Sequence, residues 1–317
     1  MKLIIQIPCF NEETSLPVTL KELPRQVTGF TKVEWLIIDD GSKDKTVEVA
    51  KKLGVNHVVR FNKNQGLAKV FPAGLEACVR LGADVIVNTD ADNQYSAAYI
   101  QKLVDPILSG EADMVIGARP IGNIPHFSFI KKMLQKFGSY VVRKVSQTEV
   151  MDAPSGFRAL SRDAAMQLHV FNSYTYTLET IIQAGRKNMA IKSIPVEVNE
   201  DLRPSRLVKS ITDYVKRSIF TIFRIFILYE PFKFFITIGA LLFSAGTLVG
   251  IRFLVYYFTG HGSGHIQSLI LASILCGIGF QTILVAFLAD LVSVNRRLLE
   301  DVQFRLKRIE LSKTKKS

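Results

Sequence analysis

Two long apolar runs near the end of the chain constrain its fold more than any other feature. Residues 234–258 read FFITIGALLFSAGTLVGIRFLVYYF, twenty-five residues with one charge, Arg252. Residues 266–289 read IQSLILASILCGIGFQTILVAFLA, twenty-four residues with none. As helices each would be about 36 Å long, enough for a hydrocarbon core of about 30 Å. A pair of buried core helices is the competing reading, but core helices seldom stay apolar on every face over such a length. Two transmembrane helices are therefore expected. The composition agrees, with 48% hydrophobic residues, 21% charged and a mean hydropathy of +0.21. Those values exclude a disordered chain, a collagen-like fibre and a small disulfide scaffold. The three cysteines, Cys9, Cys78 and Cys276, show neither paired nor metal-ligand spacing.

Charge is concentrated beside the apolar runs. Residues 1–201 hold 24 Lys and Arg against 22 Asp and Glu, whereas 202–233 hold 7 against 2 and 296–317 hold 8 against 3. Of the net charge of +12, the two short blocks thus supply +10. A nucleic-acid binder would more often spread a basic stripe over its folded domain, so no nucleic-acid partner is expected. Basic blocks abutting apolar segments suggest a cytoplasmic membrane surface. The connecting TGHGSGH has no Lys or Arg. The positive-inside rule then puts both termini in the cytosol and that loop outside. Met1-Lys2 leads straight into a short strand-like run, so a signal peptide is not expected. Just ahead of the first span, Leu207, Ile211, Val215, Ile219, Ile222 and Phe226 recur at three- and four-residue spacing, with Lys209, Asp213, Lys216, Arg217, Thr221 and Arg224 opposite. That pattern predicts an amphipathic helix lying at the lipid interface or packed on the rest of the protein, and the two can coexist.

The first 200 residues alternate in period. Short Ile- and Val-rich runs at 3–7, 35–39, 57–61, 84–88 and 113–117 are separated by longer periodic stretches at 16–27, 47–53, 68–81 and 99–108. Such alternation predicts an α/β domain with a mostly parallel sheet, helices on both faces and ligands beyond the carboxyl ends of the strands. The expected organisation is a catalytic domain over 1–201 and an amphipathic juxtamembrane segment over 202–231. Two spans over 232–290 and a basic cytosolic tail over 291–317 complete it.

The strand ends are acidic. The first runs into IPCFNEE, the second into IIDDGSKDKT and the fourth into NTDADNQ. No GxGxxG follows a strand and no GxxxxGK[ST] occurs, which argues against a dinucleotide site and a P-loop. A nucleotide diphosphate could be held beside Glu12, Asp39, Asp40, Asp90 and Asp92 only through a cation. Asp90, Asp92 and Gln94 offer hard oxygen ligands from one short turn, suited to Mg2+ or Mn2+ with water and phosphate completing the shell. A solvated acidic turn would look the same in isolation.

Taken together, PxxNE, IIDDGSxDxT and TDADxQ resemble the family 2 glycosyltransferases of GT-A (Rossmann-like) fold, over roughly residues 1–200. Within that family the chain is most similar to polyprenyl-phosphate glycosyltransferases such as dolichol-phosphate mannose synthases. The resemblance implies that Pro8, Phe10 and Glu12 line the nucleotide pocket, although relatives often have Tyr where Phe10 stands. It implies that Ile38 and Asp40 contact the base or ribose, and that Asp90, Asp92 and Gln94 hold the metal on the diphosphate. Arg119, in GAR, would meet the phosphates, a task suited to its bidentate fork. Asp152, a few residues before SGFR, would sit beside the acceptor as a positioning or late proton-accepting carboxylate, conventionally called the base. The bland reading of Asp152 is a structural cap of the turn at Ser155. In LRPSR, Arg206 stands where relatives carry Lys. Arg203 aligns only with a gap, and both would meet phosphate at the membrane surface.

The resemblance implies inverting transfer of one sugar from a UDP- or GDP-sugar donor to a membrane polyprenyl phosphate, on the cytosolic face of the cell membrane. Self-association of the chain stays open. A processive polysaccharide synthase would need a Q-x-x-R-W motif, yet the only tryptophan is Trp35 in the second strand. A silent scaffold of the same fold would have no need of an intact DxD, Asp40, Arg119 and Asp152. A nucleotidyltransferase would need a basic glycine-rich loop where IPCFNEE stands.

Overall fold

A computed structural model of the chain describes residues 1–120, 129–170, 175–199 and 227–314, with isolated positions between 216 and 224. Two compact units emerge: residues 1–219 with 303–317, and residues 220–302.

The first unit is built on a sheet of strands β1 (Lys2–Cys9), β2 (Lys32–Asp39), β3 (His57–Arg60), β4 (Val85–Asn88), β5 (Met114–Ala118), β6 (Arg158–Ser161) and β7 (Ile191–Pro195). Their order is β3-β2-β1-β4-β6-β5-β7. Only β6 runs antiparallel, to β4 on one side and β5 on the other. Leu3, Ile4, Ile5 and Ile7 of β1, and Leu36, Ile37 and Ile38 of β2, are completely buried. Side chains of successive strand residues point to opposite faces, so an unbroken apolar run must be covered on both. Helices α1 (Leu16–Glu22), α2 (Thr46–Lys52), α3 (Leu67–Arg80) and α4 (Ile100–Leu108) provide part of that cover. The periodicity extends α1 to residue 27, but the helix stops at Glu22. Leu23 precedes Pro24 and is extended at ψ 132°, the conformation that a following proline favours. Helices α5 (Phe129–Ser146), α6 (Arg162–Gln167) and α7 (Thr177–Arg186) also belong to this unit.

Helix Pro231–Phe258 of the second unit turns through Gly262–His265 into helix Ile266–Thr314, whose residues from Gln303 on belong to the first unit. Their facing surfaces are lined by small residues. A Cβ added to Gly239 would lie 2.8 Å from the Ile283 side chain, one on Gly246 2.8 Å from Cys276, and one on Gly250 3.7 Å from Ala272. These pairings descend in step, as antiparallel helices require, and close approach of backbones takes the place of hydrophobic burial. Both helices are long and apolar enough to cross a membrane. The second does not end at 289. It runs unbroken to Thr314, so the basic segment expected as a separate tail is helical as far as that residue. Most of the expected juxtamembrane helix over 207–228 lies outside the described residues.

Gly279 tests the helix pairing. A Cβ there would lie 2.6 Å from the Phe243 amide nitrogen, whereas one on Gly277 meets nothing within 4 Å. Gly279→Leu should lower the stability of the full chain in detergent by about 1–3 kcal/mol. Gly277→Leu should leave it near wild type, as read by thermal unfolding.

Candidate active site

The acidic residues cluster where the sheet geometry predicts, beyond the carboxyl ends of β1, β2 and β4. Pro8 is buried in β1 opposite Ile38 of β2, and Phe10 is half-buried just past the strand. Asn11 takes φ +54°, a left-handed turn that asparagine tolerates. Its amide donates to Ser42 Oγ at 2.9 Å and its side-chain oxygen accepts from the Lys43 amide at 2.9 Å, tying the first acidic loop to the second. Glu12 is buried and accepts a short hydrogen bond from the Ser15 hydroxyl.

Asp39 and Asp40 are both buried and engaged. Asp39 pairs with Arg60 Nε at 3.1 Å and accepts the Ser42 amide at 3.1 Å. Asp40 accepts the backbone amides of Gln65 at 2.7 Å and Gly66 at 2.8 Å, one on each carboxylate oxygen. Burial raises its pKa, and those two amides oppose the rise. The carboxylate expected at the base or ribose thus fixes the turn that opens α3. The crossing is tight. Gly41 has φ +72°, and a Cβ on it would lie 2.7 Å from the carbonyl carbon of Lys63.

Asp90, Asp92 and Gln94 are half-buried on the turn after β4. The Gln94 amide donates to Asp92 Oδ1 at 3.3 Å, and Asn93 sits at φ +57°. The turn is clamped from behind. Asn93 Nδ2 donates to Glu22 at 2.9 Å, and Asn199 donates its backbone amide to Gln94 O at 2.9 Å and its side-chain amide to Asn93 O at 3.0 Å. Among the described residues no three His, Cys, Asp or Glu side chains converge as a ready-made metal cage. Two carboxylates and an amide oxygen on one turn are the donor set of a hard cation that keeps phosphate and water in its shell, and the residues present fit Mg2+ or Mn2+.

Arg119 and Asp152 are brought together more closely than either expectation implies. Arg119 Nε donates to Asp152 Oδ2 at 2.7 Å, Nη2 donates to Oδ1 at 3.1 Å, and the Arg119 amide donates to Oδ2 at 3.2 Å. The side chains are 8% and 1% exposed, so the fork is desolvated. Burial alone would pull the guanidinium pKa down. Tyr95, Asp152 and Asp90 outweigh it, so the charge is held more firmly than usual. In this arrangement Arg119 reserves its fork for Asp152, and Asp152 has both oxygens occupied.

Sequence reasoning did not anticipate the residues packed around this site. Gly156 approaches Asp90 so closely that a Cβ would lie 3.1 Å from Asp90 Oδ2 and 3.1 Å from Tyr176 Oη. Its amide donates to Tyr95 Oη at 3.1 Å and its carbonyl accepts from Asn88 Nδ2 at 2.8 Å. Gln6, Asn88 and Tyr176 form a buried chain, with Gln6 Nε2 to Asn88 Oδ1 at 2.9 Å and Asn88 Nδ2 to Tyr176 Oη at 3.1 Å. Arg158 is fully buried and donates to the carbonyls of Ala153, Ser155 and Thr177 and to Thr180 Oγ1, so it fastens the loop that carries Asp152. SGFR was visible as a motif; the roles of Gly156 and Arg158 needed the fold. Arg203 and Arg206 lie outside the described residues.

The pair makes a measurable prediction. Asp152→Ala leaves the fork of Arg119 buried without its bonded carboxylate and should cost about 3–5 kcal/mol in chemical denaturation. The double variant Arg119→Met/Asp152→Leu, which removes both charges, should recover most of that loss.

The chain is similar to several known proteins. An uncharacterized protein of Methanocaldococcus jannaschii is 31% identical over 205 residues, 62% of this chain and 81% of that one. The undecaprenyl-phosphate mannosyltransferase of Micrococcus luteus is 28% identical over 218 residues, 65% of this chain and 88% of that one. Among solved structures, glucosyl-3-phosphoglycerate synthase from Mycobacterium tuberculosis, crystallised with Mn2+, UDP and its product, superposes with a TM-score of 0.57 at 18% identity. That match covers 71% of this chain and 78% of the synthase, and it establishes the fold. The sequence profile described as Glycosyl transferase family 2 matches residues 4–168, just over half of the 317-residue chain, and the chain belongs to that family of glycosyltransferases.

Proposed function

We propose that the protein transfers one sugar, with inversion, from a UDP- or GDP-sugar to a membrane polyprenyl phosphate on the cytosolic face, with the help of Mg2+ or Mn2+. The observation that carries this reading is the seating of Asp90 against Gly156, beside the buried Arg119–Asp152 pair. A diphosphate approaching the turn after β4 meets the half-buried carboxylates of Asp90 and Asp92, so cationic help is a condition of binding. Asp90, Asp92 and Gln94 would hold the divalent ion, whose chemistry is to neutralise charge on the leaving diphosphate.

Arg119 is the nearby guanidinium suited to the phosphates, and its fork matches their oxygens. To serve there it must exchange part of its hold on Asp152, and the released carboxylate then faces the acceptor. A phosphate monoester is largely ionised near neutral pH, with a second pKa near 6 by analogy with phosphorylated side chains. Asp152 therefore orients the acceptor and takes a residual proton instead of generating a strong nucleophile. Holding donor and acceptor in register converts an encounter into a positioned attack, worth several kcal/mol.

Several features support a lipid acceptor: the Micrococcus luteus relative named for one, the two apolar helices and the basic blocks around them. Residues 120–148 add five Lys and Arg with no Asp or Glu, a further basic stretch within the otherwise balanced first 201 residues. Arg203 and Arg206 would meet phosphate near the membrane surface. Both termini are assigned to the cytosol, where nucleotide sugars are made available.

Membranes holding the full chain, incubated with a panel of labelled UDP- and GDP-sugars and polyprenyl phosphate, should pass label from one donor into organic solvent. Chelator should abolish transfer, Mn2+ or Mg2+ should restore it, and Asp92→Asn should lose most of it while still inserting. Full activity in chelator would overturn the metal assignment. For topology, Ser263→Cys should react with an impermeant thiol reagent from outside the cell and Ser317→Cys should not; the reverse pattern would place the active site on the wrong side.

A further inference from the structure

Helix Ile266–Thr314 has a second face that the hairpin leaves uncovered. Its inner face, through Ala272, Cys276, Gly279 and Ile283, meets the Pro231–Phe258 helix. At about 100° per residue, the line from Leu271 to Ile309 in alternating steps of three and four begins and ends about a quarter turn from that face and lies roughly half a turn away in between, winding slowly round the helix. Every position on that line is apolar except Gln281 and Asn295. Past the apolar span the line stays exposed: Val292 and Leu299 are each 69% exposed, Leu306 56%, and Val302 and Ile309 52% each.

Lipid does not explain this pattern. Beyond residue 289 the helix carries Arg296, Arg297, Arg305, Lys307 and Arg308, yet the apolar line continues without a shift of phase. An apolar period of 3.5 that carries on among charged residues belongs to a seam between helices. The two exceptions reinforce it. Gln281 is exposed on the outer face of an otherwise apolar span, where a polar amide against hydrocarbon is costly. Asn295 stands fourteen residues on, two heptads along, at the equivalent position. On a shared seam each amide would hydrogen-bond its own counterpart, and such residues fix register. Charge fits as well. With Val292, Leu299 and Leu306 at the first core position, Arg305 takes a g position and Glu310 the following e position, which are apposed between parallel helices.

We propose that copies of this chain associate in parallel along this seam, making the protein a symmetric homo-oligomer zipped from the membrane span into the basic segment. The parallel direction rests on the reading that both long helices cross a bilayer, since every copy then has the same orientation. Leu299 and Leu306 at the first core position with Val302 and Ile309 at the second favour more than two helices.

The test uses the full chain in native membranes and in nanodiscs. Leu299→Cys and Leu306→Cys should each give a disulfide-linked dimer on mild oxidation, at least tenfold more than Asp301→Cys, which is exposed but off the seam. Glu310→Arg should weaken association, and Arg305→Glu/Glu310→Arg should restore it. Mass measurement of the wild type should return two or more copies. A single-copy mass, with seam cysteines cross-linking no better than Asp301→Cys, would overturn the proposal. Sugar transfer measured in the same samples keeps that failure distinct from failure of the proposed activity.

Discussion

Carboxylates gathered at the ends of a parallel sheet can be buried only if each is met by a donor, and that requirement organises the first unit. Asp40 is met by the amides of Gln65 and Gly66, Asp39 by Arg60 and the Ser42 amide, Glu12 by Ser15, and Asp152 by the full fork of Arg119. Gln65 and Gly66, Arg60 of β3 and Arg119 beyond β5 reach their carboxylates from other parts of the chain, so satisfying the charges also ties those parts together. Asp90 and Asp92 stay half-buried on a turn clamped from behind by Asn93, Glu22 and Asn199. The same economy distinguishes the carboxylates that hold the scaffold from those suited to a cation. It also keeps the thiol of Cys9 protonated, because burial and the surrounding charges of Glu12 and Asp39 push its pKa well up.

The second unit solves a different problem. In hydrocarbon, apolar side chains gain little from meeting one another, so helix pairing relies on close backbones and matched polar groups. Gly239, Gly246 and Gly279 supply the closeness within one chain, and Gln281 and Asn295 are the matched groups proposed between chains. The two principles explain why the sequence is small and apolar on one face of the second long helix and bulky on the opposite one.

Much of the architecture was legible from periodicity. Five strands were expected near 3–7, 35–39, 57–61, 84–88 and 113–117, and β1 to β5 lie there, because buried parallel strands are nearly continuous apolar runs. Strands β6 and β7 were not anticipated. The first is four residues long, begins with an arginine and sits inside a motif whose chemistry drew attention away from its backbone. The site was legible as a set of residues and less so as a set of contacts. Nothing in GAR and MDAPSGFR shows that Arg119 and Asp152 bind each other, nor that Asp40 holds a turn, since both pairings span loops brought together only by the sheet. The heptad line was hidden for another reason: within an apolar span every face is hydrophobic, so its phase becomes readable only where the helix carries on among charges.

The central claim is that the acceptor is the phosphate of a membrane polyprenol. The most direct measurement is mass spectrometry of lipids after the purified full chain, in nanodiscs, meets its nucleotide sugar with polyprenyl phosphate or with the same polyprenol lacking phosphate. The account predicts a product heavier by one sugar residue from the phosphorylated lipid alone. Equal transfer to the bare alcohol, or a ladder of several sugars, would contradict it.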